Sequence, residues 1–227
     1  MGRQSQRYPL PPHDVPEGEL HIYTDGSAKR VRGVWKADCG VWFGHLSPHN
    51  ISTSPRGKQT VNRAELTAIL LAIRKALHWD VPFARLVVFS DSELCIKGIR
   101  VYRHRWKQDG WTRRGQPLQN ADLWKLMDRV LVAAEDADFE IVFNHIPAHI
   151  GIIGNERADK LAKAAVKMTF KAITRSTAER AAIEMEGMAD AMVAAMTSDF
   201  LTRQQSQEPD VDDDPLQWRW VPFHLRQ

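Results

Sequence analysis

The fold of this chain is constrained most by one amphipathic segment that lies between two strand-like segments. Residues 60–79, TVNRAELTAILLAIRKALHW, place apolar side chains along one stripe at helical spacing. The segment that follows, ARLVVFSDS at 84–92, is typical of a short strand buried in a parallel sheet. A helix that connects two parallel strands of one sheet crosses over with right-handed chirality. We therefore expect an α/β fold with helices packed on a mixed sheet. The stripe consists of Leu66, Ile69, Leu70, Ile73 and Leu77.

The remaining segments predict the element order βββ-α-β-α-α-β-α. Three strand-like segments precede the helix, and we expect them to form an antiparallel meander whose first strand stops at Asp25-Gly26. After the buried strand we expect a short helix, an irregular basic stretch to Pro117, a helix with Asn120 as its N-cap, a strand and a last helix. The simplest arrangement is a five-stranded mixed sheet of order 3-2-1-4-5. The segments are 19–28, 33–46 and 49–56 for the meander, then 92–99, 120–137, 139–147 and a helix within 145–165.

The composition predicts one domain with an extension at each end. Residues 1–18 are proline-rich without an apolar core, and we expect a flexible segment rather than a secretory signal. Residues 19–168 carry the domain, and 169–227 form a C-terminal helical extension with a helix at about 176–200, an acidic linker and an aromatic tail. We expect the tail to dock on the domain, on a protein partner or on a second copy. The sequence has no run of about 18 apolar residues, so we expect no membrane span. The expected location is intracellular, cytoplasmic or nuclear.

Four acidic residues lie at the ends of strands or near the starts of helices, and these elements meet at one edge of the predicted sheet. Asp25 and Asp91 end neighbouring strands at the switch point of the strand order, where open α/β sheets bind ligands. Glu65 lies near the start of the crossover helix, and Asp159 lies one turn into the last helix. Any one of them alone is commonly a turn former or a helix cap. Together they are the hard oxygen ligands that Mg²⁺ prefers, and two such ions can hydrolyse a phosphodiester.

Four sequence fragments, in this order and spacing, resemble the type 1 ribonuclease H family. They are YTDGS at 23–27, TVNRAEL at 60–66, FSDS at 89–92 and PAHIGIIGNERADKLAKAA at 147–165, within a match from 19 to 166. The resemblance implies the RNase H-like fold and cleavage of the RNA strand of RNA–DNA hybrids with two Mg²⁺ ions, or Mn²⁺ in their place. The implied products carry 5′-phosphate and 3′-hydroxyl ends. It also implies that Asp25, Glu65, Asp91 and Asp159 are catalytic metal ligands, and that His149 assists proton transfer or product release.

The resemblance also assigns substrate contacts. The basic stretch 100–117 interleaves cations with aromatic rings and resembles the handle by which family members hold the DNA strand. A second set of residues resembles the pocket in which family members hold a DNA phosphate. A third set matches positions near the RNA minor groove, where the 2′-hydroxyl identifies RNA. The expected contacts are Trp106 and Trp111 in the handle, Lys58, Thr60 and Asn120 at the phosphate, and Ser27, Gln59 and Asn62 along the hybrid.

Two departures from the family pattern accompany these matches. The stretch AKRVR at 28–32 and Val61 stand where small or amide residues are common, so we expect weaker hybrid affinity or discrimination. The alternatives are a non-catalytic nucleic-acid-binding module of the same fold, a protein-interaction module acting through 169–227, a retroelement-derived ribonuclease H domain, and a related nuclease or transposase acting on DNA. The complete set of acids favours an enzyme, and the basic stretch favours a hybrid substrate.

Overall fold

The computed structural model describes residues 15–16, 18–77 and 83–168 of the 227-residue chain. The predictions for residues 1–14 and for the extension at 169–227 lie outside the described residues and stay predictions. The domain boundaries at 18 and 168 stay predictions for the same reason. In the described part, no helix has both the length and the apolar character needed to cross a membrane.

The described elements form an α/β domain with one main sheet and a separate two-stranded ribbon. In chain order they are β1 (Glu19–Val31), β2 (Val34–Trp42), β3 (Ile51–Thr53), α1 (Val61–Leu77), β4 (Arg85–Ser90), α2 (Glu93–Lys97), a π-helical turn (Gly98–Tyr102), α3 (Arg103–Gln108), β5 (Thr112–Arg113), β6 (Gln116–Pro117), α4 (Ala121–Asp136), β7 (Glu140–His145) and α5 (Ile153–Met168).

The main sheet has the order β3-β2-β1-β4-β7, which confirms the predicted arrangement of five strands. β1 and β2 pair antiparallel, as do β2 and β3, whereas β4 lies parallel to both β1 and β7. The predicted stripe of α1 is buried, with Leu66, Ile69, Leu70 and Ile73 at most 1% exposed. These side chains pack in one hydrophobic cluster with β1, β4 and α4. Burial of this stripe is the main reason that the segment folds as the predicted helix.

The prediction that strand one stops at Asp25-Gly26 is wrong. Its parallel pairing with β4 ends there, since the last partners are Thr24 and Ser90. Its antiparallel pairing with β2 continues to Val31 opposite Val34. The hairpin closes through Arg32 and Gly33, whose φ angles of 48° and 83° are the left-handed pair that a tight two-residue hairpin turn requires. Asp25 therefore lies at the edge of the parallel sheet but in the middle of a long hairpin.

The prediction of an irregular basic stretch between 100 and 117 is also wrong. The chain continues from α2 through the π-helical turn into α3, and then forms the β5–β6 ribbon. Arg103 explains this order, because its buried guanidinium forms ion pairs with Asp128 at 3.4 Å and with Glu135 at 2.8 Å on α4. Lys107 reaches the same Asp128 at 2.8 Å. These contacts attach the basic stretch firmly to the body of the domain.

Two smaller predictions need correction at the ends of elements. Strand three is only Ile51–Thr53, because the chain turns on both sides of it. Helix α4 begins after Asn120, but the Asn120 side chain makes no capping hydrogen bond and its φ is 60°. The two cysteines, Cys39 and Cys95, are fully buried free thiols in the hydrophobic cluster.

Two glycines set how closely the helices approach β1 and β2 near Asp25. A Cβ at Gly26 would overlap the backbone of Glu65, so α1 lies tight against one face of the sheet. A Cβ at Gly40, the residue opposite Asp25, would overlap the backbone of Ala158 and Ala162, so α5 lies tight against the sheet there too. These close approaches bring acids from two helices toward the same edge of the sheet.

Candidate active site

Three acids from three elements meet at the edge of the parallel sheet. Asp25 on β1, Glu65 on α1 and Asp91 directly after β4 each offer an oxygen, and these oxygens lie within 4.8 Å of one another. Asp25 is 7% exposed and Glu65 is 4% exposed, whereas Asp91 is half-buried. Three of the four predicted metal ligands are therefore gathered at one point.

The electrostatics of this group favour a bound cation. Burial, with the charges of Asp91 and Asp159, raises the pKa of Asp25 to about 7. Burial and the neighbouring charges of Asp25 and Asp91 raise the pKa of Glu65 well above its usual value. One oxygen of Glu65 is buried without a hydrogen-bond partner. Like charges this close are costly unless a proton or a cation lies between them, so the donor set fits a divalent metal ion.

Asp159 does not belong to this tight group. Its two carboxylate oxygens accept hydrogen bonds from the Lys163 ammonium at 2.6 and 2.7 Å, one turn further along α5. Its charge nevertheless raises the pKa of Asp25, and the charge of Lys163 lowers it. Asp159 therefore lies close enough to influence the group while its own charge is balanced by a lysine. Its role as a direct metal ligand stays a prediction.

Asn155 is a site residue that the sequence interpretation missed. Its side-chain Nδ2 donates a hydrogen bond to Asp91 at 3.0 Å, and the residue is 3% exposed. Its Oδ1 is buried without a partner. The available signal was its position one turn before Asp159 in the same helix, on the side that faces the sheet. The amide holds the Asp91 carboxylate toward the other two acids.

His149 lies in the loop between β7 and α5. Its side chain is exposed, and its φ of 56° together with 88° at Gly151 gives the loop two left-handed residues. A histidine that is open to solvent can exchange protons with water and with a bound substrate. The predicted role of His149 stays a prediction.

The residues predicted to bind a DNA phosphate are connected by Arg63, a second residue that the sequence interpretation missed. Arg63 is 8% exposed, and its guanidinium donates to Asn120 at 3.3 Å and forms a bidentate pair with Asp122 at 3.0 and 2.6 Å. The backbone N–H of Arg63 donates to the Thr60 hydroxyl at 3.3 Å, and its side chain also binds the carbonyl of Arg56. Arg63 thus joins the loop that carries exposed Lys58 to Asn120, which is itself buried at 9% exposure. The predicted contact of these three residues with a DNA phosphate stays a prediction.

The side-chain amide of Gln59 is bonded within the protein, and its predicted contact with the hybrid stays a prediction. Its Oε1 accepts from the backbone N–H of Ala37 at 2.9 Å, and its Nε2 donates to the carbonyls of Pro55 and Gly57 at 3.0 Å. The amide is therefore occupied within the protein and ties the β1–β2 hairpin to the 55–60 loop. Ser27 and Asn62 are both half-buried, on β1 and on the first turn of α1.

The two predicted handle tryptophans are half-buried and pack on the hydrophobic core. The ring of Trp106 lies 4.9 Å from that of Trp124 on α4 and 5.4 Å from that of Tyr102. Trp111, with φ of 61°, sits at the bend before the ribbon. A cleft of about 460 Å³ opens beside Trp106. Its lining is rich in cations: Arg105, Trp106, Asp109, Thr112, Arg113 and Arg114.

Comparisons with known proteins agree with this geometry. The family model for RNase H matches residues 17–167. Ribonuclease H1 of Mus musculus is 33% identical over 150 residues, which are 65% of this chain and 50% of that protein. Ribonuclease H of Acidovorax sp. (strain JS42) is 33% identical over 156 residues, which are 67% of this chain and 97% of that protein. The solution structure of the PFV RNase H domain matches with a TM-score of 0.50 and 26% identity, over 63% of this chain and 92% of that domain. The chain spans about half the length of its mammalian relative.

Proposed function

The chain belongs to the RNase H family, and on that premise we propose that it is an endonuclease that hydrolyses the RNA strand of RNA–DNA hybrids. The observation that carries the proposal is the meeting of Asp25, Glu65 and Asp91 within 4.8 Å at the edge of the sheet. Two of these acids are almost fully buried, and their pKa values are raised. A protein that only bound nucleic acid would gain nothing from such a costly group of acids.

We propose that Asp25, Glu65 and Asp91 hold Mg²⁺ ions, that Asp159 supports them from outside this group, and that Mn²⁺ can replace Mg²⁺. When bound, the ions would supply charge neutralisation at the scissile phosphate, an activated water and a stabilised 3′-oxygen. The protein positions the ligands: Asn155 fixes the orientation of Asp91. The exposed imidazole of His149 carries a proton to or from the site through its ring nitrogens. The products carry 5′-phosphate and 3′-hydroxyl ends.

The hybrid substrate is proposed from family membership, and two parts of the domain carry residues suited to its phosphate backbone. One is the loop with exposed Lys58 and half-buried Thr60, which Arg63 connects to buried Asn120 and whose lysine suits a backbone phosphate. The other is the handle at 100–117, which ion pairs of Arg103 fix to α4. Cations at fixed positions neutralise phosphates and set the register of a duplex. Such contacts allow one strand to be held while the other is cleaved.

The deciding experiment compares four end-labelled duplexes of one sequence: the RNA–DNA hybrid, double-stranded RNA, double-stranded DNA and a hybrid with 2′-deoxy positions in the RNA strand. We expect cleavage of the RNA strand of the hybrid only, and only when Mg²⁺ or Mn²⁺ is added. Asp25→Asn serves as the matched variant, because it removes one charge without changing the size of the side chain. Binding of the intact hybrid by this variant should stay within a few-fold of wild type. Cleavage without added metal, or undiminished cleavage by Asp25→Asn, would contradict the proposal.

A further inference from the structure

We infer that the cleft beside Trp106 is an interaction surface for residues 208–214 of this same chain, which occupy it when no nucleic acid is bound. We call residues 208–214 the acidic segment. The inference adds a form of regulation to the handle. It rests on the proposed function only where the acidic segment competes with the hybrid, because the contact itself involves no substrate.

The cleft carries more positive charge than its own residues balance. Three arginines line it, Arg105, Arg113 and Arg114, against one acid, Asp109. Arg105 and Asp109 form an ion pair at 3.6 Å, but 83% and 51% of their side chains are exposed, so water screens this pair. Arg113 and Arg114 are exposed, and neither has an acidic partner among residues 18–77 and 83–168. The cleft is therefore suited to an anionic ligand.

The fold holds the walls of the cleft in fixed positions. Arg103 and Lys107 on α3 both form ion pairs with Asp128 on α4, at 3.4 and 2.8 Å. At the tip of the ribbon, Arg114 and Gly115 have φ angles of 53° and 74°, the left-handed pair of a tight hairpin turn. Two cations of the handle are thus used by the fold, whereas those at the ribbon turn are left for a ligand.

Trp106 gives the cleft an aromatic wall. Its half-buried ring lies 4.9 Å from the ring of Trp124 and 5.4 Å from that of Tyr102, and both contacts restrict its movement. The cleft volume of about 460 Å³ lies within the range of clefts that hold ligands. Grooves lined by aromatic rings bind extended segments that contain proline. The cleft therefore favours an extended chain with several negative charges and a proline.

The acidic segment has this chemistry. Its sequence, EPDVDDD, holds five acids and no cation, and no other seven-residue stretch of the chain carries five acids. Pro209 lies within it and Pro215 directly after it, and prolines this close together disfavour a helix. Pro215, Leu216 and Trp218 supply apolar groups for contact with Trp106. Charge and side-chain chemistry of the two partners are complementary.

The connection between the domain and the acidic segment is long enough for contact within one chain. Helix α5 ends at Met168, and residues 169–207 lie between the two. The helix predicted at about 176–200 spans about 37 Å, and the other residues of the connection add about 46 Å when extended. A domain of about 150 residues has a radius of gyration of only about 15 Å. A tether of this kind gives an effective concentration of about 1 mM, so a weak contact suffices to fill the cleft.

The acidic segment and a nucleic acid would compete for the same arginines. Carboxylates and phosphates both accept charge-assisted hydrogen bonds from a guanidinium. A hybrid that also contacts the active site displaces the segment, whereas a polyanion that contacts only the handle does not gain enough to do so. Because the charges on both sides are exposed, salt weakens the contact. The segment therefore opposes hybrid binding most at low ionic strength.

The first test neutralises the acidic segment in the full chain and measures hybrid binding without metal, at about 50 mM and about 200 mM salt. The segment variant carries Glu208→Gln, Asp210→Asn, Asp212→Asn, Asp213→Asn and Asp214→Asn. The control variant removes the same charge from an earlier part of the extension, through Glu179→Gln, Glu184→Gln, Glu186→Gln, Asp190→Asn and Asp199→Asn. Each variant is also combined with Arg113→Ser/Arg114→Ser, which completes a double-mutant cycle.

Relative to the control variant, the segment variant should bind the hybrid about three- to tenfold more tightly at the lower salt and equally at the higher salt. This gain should disappear in the Arg113→Ser/Arg114→Ser background, although that change weakens hybrid binding by itself. Equal gains in the segment and control variants would show a general effect of net charge and overturn the inference. A gain that persists without the two arginines would overturn it as well.

The second test needs no nucleic acid. A labelled peptide of residues 206–218 is added to the full-length proteins. We expect it to bind the segment variant, to bind wild type about tenfold more weakly because the chain's own segment fills the cleft, and to lose binding when Arg113→Ser/Arg114→Ser is added to the segment variant. Equal binding to wild type and to the segment variant would overturn the inference. A wild-type dimer that the segment variant does not form would assign the cleft to a second copy and overturn contact within one chain. If wild type cleaves no hybrid, the proposed function fails while the peptide result still decides the inference.

Discussion

The side-chain amide of Asn155 donates a hydrogen bond to the carboxylate of Asp91 across 3.0 Å, and so connects the first turn of α5 to the end of β4. The amide is 3% exposed, so water does not compete for this bond. Its other polar atom, Oδ1, is buried without a partner. Burying Oδ1 without a hydrogen-bond partner lowers the free energy of unfolding, and the orientation of the amide toward Asp91 offsets that cost in function. Asn155 therefore acts as a positioning residue that aims Asp91 toward Asp25 and Glu65.

Replacing Asn155 by Ala should reduce kcat/KM for hybrid cleavage about 10- to 100-fold, the range typical of residues that orient a metal ligand. The loss should be smaller at high Mg²⁺ concentration, because added metal offsets weaker ligand orientation. Titrating activity against Mg²⁺ measures this shift directly. Glu156→Gln, one residue further along α5 and exposed, is the matched control and should behave as wild type. A purely structural role would lower the melting temperature and leave the Mg²⁺ midpoint unchanged.

Replacing Asp25 by Asn should stabilise the metal-free protein, and more so at pH 8 than at pH 5. The pKa of Asp25 is raised from 3.8 to about 7, so within this window the folded protein keeps a proton that the unfolded chain releases. The contribution of Asp25 to the stability of the wild type therefore falls as the pH rises from about 4 to about 7. Asparagine does not titrate and avoids this loss. The gain above pH 7 is at most about 4 kcal/mol, from 1.36 kcal/mol per pKa unit.

This gain is measured as the melting temperature in the presence of a chelator at both pH values. Each kcal/mol corresponds to about 2–4 °C for a chain of this size. Asp136→Asn, on an exposed position of α4, is the control and should change the melting temperature equally at both pH values. A lower melting temperature of Asp25→Asn at pH 8 would mean that the carboxylate stabilises the fold, contrary to the charge repulsion described above.

The sequence predicted the sheet well because its signals were local. The stripe on α1 and the apolar run of β4 each define an element, and right-handed crossover then leaves little freedom in strand order. The sequence failed at Asp25-Gly26, where a turn-like pair lies inside a strand. Gly26 is there because α1 approaches so closely that a Cβ would overlap Glu65, which no local pattern reveals.

The site residues show the same division between local and long-range information. Asp25, Glu65 and Asp91 were predictable because short local fragments of the sequence carry them, YTDGS, TVNRAEL and FSDS. Asn155 and Arg63 were missed because their importance comes from partners 64 and 57 residues away, Asp91 and Asn120. The bond between the Gln59 amide and the backbone of the hairpin was not predicted either, because it joins positions 22 residues apart. Partners at such separations follow only from the assembled fold.

Replacing Asp159 by Asn should cost less activity than replacing Asp25. Asp159 lies outside the group whose oxygens meet within 4.8 Å, and its carboxylate is already paired with Lys163. We expect a reduction of roughly 10- to 100-fold, as for a residue that supports the ligands, against complete loss for Asp25→Asn. Both variants are compared in one single-turnover assay at saturating Mg²⁺. Equal and complete loss in the two variants would place Asp159 among the direct ligands.

Replacing His149 by Ala should lower the rate of hybrid cleavage about 100-fold, the usual contribution of a general acid or base. The side chain is exposed, so the melting temperature and hybrid affinity should not change. Since the loop has left-handed backbone angles at His149 and Gly151, His149→Asn is the better-tolerated variant at this φ and controls for backbone effects. Asparagine cannot transfer a proton, so both variants should lose the same activity if proton transfer is the role. A burst of product followed by a slow steady state in either variant would instead assign His149 to product release, and unchanged rates would remove it from the mechanism.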